Sequence, residues 1–262
     1  MRRFVLKPIL GLVLAACLSA GVAQAAEAPF IGTWKLDPAR SRLPDAMKVQ
    51  RRGDATYAFD FGGGLETVVV NGRDQKGVDG TLLSVRPVAT DTWIVERKQG
   101  GRLLLRATWK LSKDGRRLTD YFRQFGSDGA TQGTDYVYQR TDGGTGFAGD
   151  WRSIKETMKS PTLLQVKPFQ GDGLSFISLT SHVTRNVKFD GADYPDEGQN
   201  ARPGASSSVR RVDQRTLAIT GKYAGKVTFT EDVGLSPDLK TLTLTQHIPG
   251  HDRPNVLVFR RT

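Results

Sequence analysis

The chain repeats itself. Val85 to Thr119 aligns without a gap with Val209 to Thr243, at a constant offset of 124 residues. Val85-Arg86 returns as Val209-Arg210, and Val88, Thr92 and Gly101 return as Val212, Thr216 and Gly225. Leu111-Ser112 and Leu118-Thr119 return as Leu235-Ser236 and Leu242-Thr243. The two units open alike, with Phe30-Ile31-Gly32-Thr33-Trp34 and Phe147-Ala148-Gly149-Asp150-Trp151, and close alike, with Tyr138-Gln139-Arg140-Thr141 and Phe259-Arg260-Arg261-Thr262. So long a period rules out a solenoid and matches a small domain. The expectation is a tandem pair, residues 30–141 and 147–262, joined by a linker of turn residues at 142–146.

Within each unit the apolar residues recur every second position: Trp93, Val95; Leu103, Leu105, Ala107, Trp109; Val227, Phe229; Leu242, Leu244; Val256, Val258. That is the period of a strand with one buried face. Turn signals separate the rows, among them Asn71-Gly72, Gln99-Gly100-Gly101, Lys113-Asp114-Gly115, Ser236-Pro237-Asp238 and Pro249-Gly250. Helical periodicity is scarce: residues 37–48 and 153–159 could each hold one short helix or helical turn. The fold class is therefore all-β, with about eight to ten antiparallel strands per repeat, enough to close a barrel and remove exposed edges.

Gly-x-Trp near the start of a first strand, with an Arg at the end of the last, resembles the closure of lipocalin-type (calycin) barrels. The stretch Gly32 to Ser41 is similar to the opening of exported bacterial lipocalin-like proteins. So are Leu235 to Thr243, as a late hairpin, and Phe189 to Pro195 in the middle. The resemblance implies two tandem lipocalin-like antiparallel β-barrels. It further implies barrel-closing cation-π pairs within each repeat, Trp34 with Arg140 and Trp151 with Arg261. A barrel of this kind could enclose a small hydrophobic ligand. The second repeat departs from the pattern, with Leu239 where the first has Gly115 and Arg152-Ser153-Ile154 after Trp151.

Residues 1–25 have the form of a signal peptide: Arg2, Arg3 and Lys7, then an apolar run, then Ala23-Gln24-Ala25. Leu14-Ala15-Ala16-Cys17 also resembles a lipobox, which would end the leader before Cys17 and anchor the chain as an outer-membrane lipoprotein. Either route makes the protein exported, periplasmic or secreted, with no transmembrane span in the mature chain. No cysteine follows Cys17, so disulfides, thiolate metal sites and a cysteine nucleophile are excluded. Loss of Arg2, Arg3 and Lys7 lowers the formal net charge from +11 to +8. That excess favours an anionic envelope component, polysaccharide or lipid head group, and no dense basic run marks a specific nucleic-acid site.

Chemistry-bearing motifs are few. His247, His251 and Asp252 are the one cluster of metal-type residues, but Pro249-Gly250 between them reads as a hairpin turn and no metal site is expected. His182 stands alone on an expected strand, where a haem ligand is the remote alternative to a core or surface histidine. There is no Gly-x-Ser-x-Gly elbow, and Gly62-Gly63-Gly64 lacks the Lys and Ser/Thr of a phosphate cradle. Asp193, Asp196 and Glu197 form an acidic stretch in a turn-rich region, read as solvated. Tyr121, Phe122, Arg123, Phe125, Tyr136 and Tyr138 are either a stacking platform or, by period two, an alternation of core and solvent-facing residues. No catalytic residue and no cofactor is expected. The functional expectation is an exported, non-catalytic binding protein. The alternatives are a module that docks on anionic envelope components and an enzyme built on the calycin scaffold.

Overall fold

A computed structural model describes residues 29–262 apart from residues 63, 130 and 161. The expected leader, with Cys17, lies outside the described residues. Among the described residues, twenty strands and one short 3-10 turn follow in order. They are β1 (Gly32–Leu36), β2 (Ala46–Arg51), β3 (Thr56–Asp60), β4 (Leu65–Val69), β5 (Gln75–Lys76), β6 (Leu82–Ala89), β7 (Thr92–Gln99), β8 (Arg102–Leu111), β9 (Arg117–Phe125) and β10 (Thr131–Asp142). Then come β11 (Gly149–Met158), β12 (Leu163–Phe169), β13 (Gly173–Ser178), β14 (Val183–Lys188), β15 (Tyr194–Glu197), β16 (Ala205–Asp213), β17 (Thr216–Tyr223), β18 (Lys226–Leu235), β19 (Thr241–His247) and β20 (Asn255–Arg261).

The strands make two ten-stranded antiparallel sheets, each curled around its own core. One is a closed barrel; the other runs in the order β4-β3-β2-β11-β10-β9-β8-β7-β6-β5 and is nearly closed. Tight hairpins follow the turn signals. Gly100 and Gly101, between β7 and β8, both have positive φ, 56° and 79°. That is the twist a two-residue hairpin requires. Ala224 and Gly225 occupy the equivalent turn of the second repeat at 47° and 77°.

The repeats exchange their first strands. β11 opens the second repeat, yet it pairs with β10 and β2 of the first. β1 opens the first repeat, yet it is the stave that closes the second barrel, between β12 and β20. The nearly closed sheet is thus built from residues 46–158, and the closed barrel from β1 with residues 163–261. Residues 142–146, expected as a linker between domains, lie at the β10–β11 hairpin within one sheet. The chain crosses between sheets at residues 37–45 and again at 159–162. The first crossing is tied down along β20: Arg42 N–H donates to Val256 O at 2.7 Å, and Val258 N–H donates to Ser41 Oγ at 2.9 Å.

Neither expected helix forms. Residues 153–159 fall almost entirely in β11, where Trp151 and Ser153 point inward and are buried. Residues 37–48 are the crossing segment and the start of β2.

Strand exchange also corrects the barrel-closing pairs. The Arg140 guanidinium lies over Trp151, 4.3 Å from the ring centroid, and that of Arg261 lies over Trp34 at 4.1 Å. The expected pairs were Trp34 with Arg140 and Trp151 with Arg261. The cause is register, since Arg140 faces Trp151 across the β10–β11 hairpin and Arg261 faces Trp34 across β20–β1. Each indole N–H donates to the carbonyl four residues back, Phe30 or Phe147, at 3.0 Å. The glycine of Gly-x-Trp is required by the arginine. A Cβ on Gly32 would lie 2.8 Å from Arg261 Nη1, and one on Gly149 2.5 Å from Arg140 Nη1. Leu239 also finds its reason here, because it holds a positive φ of 58° as Gly115 does at 68°. In that conformation its carbonyl accepts the Arg261 Nε–H, as the Gly115 carbonyl accepts that of Arg140.

Candidate binding cavity

The two sheets carry the same strands in the same register but enclose different interiors. In the nearly closed sheet, Leu118 faces Tyr138 and Asp120 faces Tyr136 across β9 and β10. In the closed barrel the matching pairs across β19 and β20 are Leu242 with Phe259 and Leu244 with Leu257. Asp120, Tyr136 and Tyr138 therefore stand where the other repeat has Leu244, Leu257 and Phe259. On β8 the inward row Leu105, Ala107, Trp109 corresponds to Phe229, Glu231, Val233 of β18.

The result is a cavity of about 310 Å³ inside the nearly closed sheet. Its walls come from the inward faces of β6 to β10, with Asp45, Met47 and Phe61 from the far side. Ala107 supplies room and the larger side chains shape it. Phe122 and Tyr136 meet edge to face, their centroids 6.4 Å apart.

One end of this cavity is polar. The Tyr138 hydroxyl donates to Asp45 Oδ2 at 2.5 Å. Burial raises the Asp45 pKa, against the hydrogen bonds from Tyr138 and the Ala46 N–H that favour its charge. Asp120 is only 5% exposed. Burial pushes its pKa up to about 8, a rise that the nearby Asp45 reinforces and the Trp109 indole N–H opposes. That N–H is close enough to favour the carboxylate but completes no hydrogen bond: Trp109 Nε1 and Asp120 Oδ1 are both buried without a hydrogen-bond partner. Burial likewise raises the Tyr136 and Tyr138 hydroxyls, so both stay protonated and can donate.

A buried polar group without a partner costs on the order of 1–3 kcal/mol. Asp120 therefore weakens a fold that accepts leucine at the equivalent position. The second repeat has a buried carboxylate too, Glu231, but it is paired: Arg185 Nη1 lies 3.3 Å from Glu231 Oε1 and covers the Phe229 ring at 4.8 Å.

The nearly closed sheet has a seam, and the cause is strand length. β15 has four residues and pairs with both β14 and β16, whereas β5 has two and pairs with β6 alone. Between β4 and β5 side chains replace the ladder. The Gln75 amide accepts from Val69 N–H at 2.8 Å and donates to Val69 O at 2.7 Å. Glu66 on β4 binds Arg97 on β7 in a bidentate pair, 2.8 and 2.6 Å, and also accepts the Val78 N–H at 2.7 Å. Arg97 and its hydrogen bonds outweigh the burial of Glu66 and hold its pKa below the usual value.

Outside the seam lies a groove of about 680 Å³ between the two sheets. Phe61 and Arg97 belong to the walls of both groove and cavity, so this ion pair stands between the two spaces. Across the groove Ser127 N–H donates to Asn200 Oδ1 at 2.7 Å. His182 lies between Ser181 and Val183, which line the groove. It occupies a turn before β14, with φ 54°, and its Nδ1 meets the Asp128 carboxylate. It is not on a strand as the sequence led one to expect.

The remaining sequence candidates are spread out. Phe122, Tyr136 and Tyr138 point inward, while Tyr121 is exposed and Arg123 pairs with Asp135 at 2.9 Å. Alternation places Phe122, Tyr136 and Tyr138 inside, whereas Phe125 lines the groove outside. Asp193 binds Lys222 at 2.7 Å, Asp196 accepts from Ser207 Oγ at 2.8 Å, and Glu197 accepts from Asn186 Nδ2 at 2.9 Å. These carboxylates bind neighbouring strands of their own barrel. His247 ends β19, and His251 lies in the following turn against Gly62. Four residues of consequence escaped the sequence reading: Asp45, Glu66, Arg97 and Asp120. Asp120 carried a signal, since it interrupts the apolar row Leu118-x-Asp120-x-Phe122 at an inward position.

No protein-family model matches the chain, and a comparison with curated proteins finds no similar one. The functional reading therefore stands on the fold and the cavity.

Proposed function

We propose that this chain is an exported, lipocalin-like binding protein without catalytic activity, and that it holds one small, mainly hydrophobic molecule inside the nearly closed sheet. The observation that carries the reading is the contrast between the repeats. On one framework, one interior has leucines and a phenylalanine where the other has Asp120, Tyr136 and Tyr138, and the other keeps a cavity of about 310 Å³ with an aromatic wall and a polar end. A volume at the small end of the usual range, with few polar groups, is the pattern of a ligand site. The seam at β4–β5 supplies the route in. There the barrel is held by side chains that can part without breaking a strand ladder.

Native mass spectrometry of the protein purified from its own envelope fraction tests the reading. The expected result is a small-molecule adduct that denaturation releases and that Ala107→Phe, which fills the cavity, removes. A bare polypeptide in the native state would overturn it. The denatured mass also tests export, because it should begin at Ala26, or carry a diacylglyceryl group on Cys17.

A further inference from the structure

We infer that the cavity selects an organic cation: an aromatic or alkyl amine whose ammonium group pairs with Asp120 while its apolar body lies against Phe122, Tyr136 and Trp109. This rests on the proposed reading of the cavity as a ligand site and names the chemistry of its occupant.

The argument starts from what Asp120 lacks. It lies on β9, buried, and reaches the cavity, and its Oδ1 has no hydrogen-bond partner. The carboxylates around it are otherwise engaged. Asp45 takes the Tyr138 hydroxyl, Glu66 takes Arg97, and Asp135 on β10 takes Arg123 and Lys159. The cations near the cavity are thus already committed to other acids. Asp120 Oδ1 is left without a completed hydrogen bond, beside the Trp109 indole N–H and in a wall of aromatic rings.

Rings and a carboxylate suit an ammonium group twice over. The faces of Tyr and Trp attract a cation within about 6 Å of the centroid. A charge-assisted hydrogen bond to a carboxylate is about twice as strong as a neutral one. A neutral hydroxyl can share a hydrogen bond with Asp120 but brings it no charge, and an anion is repelled once the carboxyl ionises. Space limits the body of the ligand: at roughly 30 Å³ per heavy atom, the packing of liquid water, the cavity of about 310 Å³ takes about ten non-hydrogen atoms.

Proton linkage follows. The groups that face Asp120 are Trp109 from β8, Tyr136 from β10, and Asp45 from the segment before β2, with Asp135 and Arg123 acting from further off. Their sum leaves the empty site protonated at neutral pH, because its pKa is about 8. Binding a cation must then expel that proton, so affinity should rise with pH up to about 8 and level off above it.

Calorimetric titration with three probes of one shape tests this: phenethylammonium, 2-phenylethanol and 3-phenylpropanoate. At about pH 8.5, where the amine is still charged, phenethylammonium should bind at least about tenfold more tightly than either of the others. At neutral pH its heat should vary with buffer in proportion to one released proton. Asp120→Asn should bring the amine-to-alcohol preference down to about twofold or less. If that variant does not fold, the buffer dependence and pH profile of the wild-type protein decide the matter. Equal affinity for amine and alcohol, or preference for the carboxylate, with binding still lost in Ala107→Phe, would overturn the cation and leave the binding cavity standing. Binding of none of the three would overturn both.

Discussion

The closed barrel and the seamed barrel are the same strands put to different uses. In the closed barrel β15 completes the ladder, Leu244, Leu257 and Phe259 fill the matching inward positions, and the buried carboxylate on β18, Glu231, is matched by Arg185. In the seamed barrel β5 is too short to complete the ladder, Asp120 and two tyrosines replace two leucines and a phenylalanine, and Ala107 leaves room where the other repeat has Glu231. The open ladder and the incompletely bonded Asp120 each weaken the seamed barrel relative to its partner. The seamed barrel thus buries an acid with an unfilled oxygen where the closed barrel has leucine. The crossing at residues 37–45 and the exchange of first strands link the two barrels. Each sheet contains the other repeat's first strand, so neither unit separates without losing a stave.

The comparison can be broken by making the seamed barrel resemble the closed one. Asp120→Leu combined with Tyr136→Leu, with Tyr138 kept as the partner of Asp45, should abolish phenethylammonium binding by at least about 100-fold, which is near 3 kcal/mol. Thermal denaturation at about pH 9 should show the same variant melting several degrees higher than wild type, since an uncompensated buried charge is gone. The reverse operation acts on the closed barrel. Arg185→Ala strands Glu231, already held protonation-prone by burial, and should cost about 3 kcal/mol in denaturant unfolding, with Glu231→Gln in the same chain restoring much of it.

The sign of the pH effect separates the two barrels further. Asp120 holds its proton up to about pH 8 in the folded chain, whereas an unfolded aspartate loses it near 3.8. Across that window the folded state binds more protons, so the contribution of Asp120 to stability is full below about pH 4 and falls as the pH rises to about 8. Unfolding free energies of wild type and Asp120→Asn, measured against pH, should therefore diverge in favour of the variant from about pH 4 and run parallel above about pH 8. The smallest effect tests the exchange of strands. Double-mutant cycles should give a coupling of about 1–2 kcal/mol for Trp34 with Arg261 and for Trp151 with Arg140, and nothing measurable for Trp34 with Arg140.

Most of the framework was legible in the residues. Period-two rows and hairpin turns announced two all-β repeats, and ten strands fall within the expected eight to ten. The row Leu105, Ala107, Trp109 does face an interior. Strand exchange was hidden because the repeats are chemically equivalent at their ends: either Trp fits under either Arg, and local pattern does not say which. The choice is made by the short segment between β10 and β11, which folds as a hairpin and brings Trp151 opposite Arg140 before its own repeat has begun. The helical spacing at residues 153–159 misled for the same reason, since a strand borrowed by another sheet answers to that sheet's core. Asp120 was obscured by its neighbours, because Thr119-Asp120-Tyr121 reads as a solvated stretch until the register with Leu244 is seen.

The most direct measurement is binding stoichiometry. Calorimetric titration of the mature protein with phenethylammonium and with 2-phenylethanol, beside Ala107→Phe, counts the sites and locates them. The account predicts one site per chain, lost when Ala107 becomes Phe. Two equivalent sites per chain, or a single site indifferent to Ala107→Phe, would contradict it.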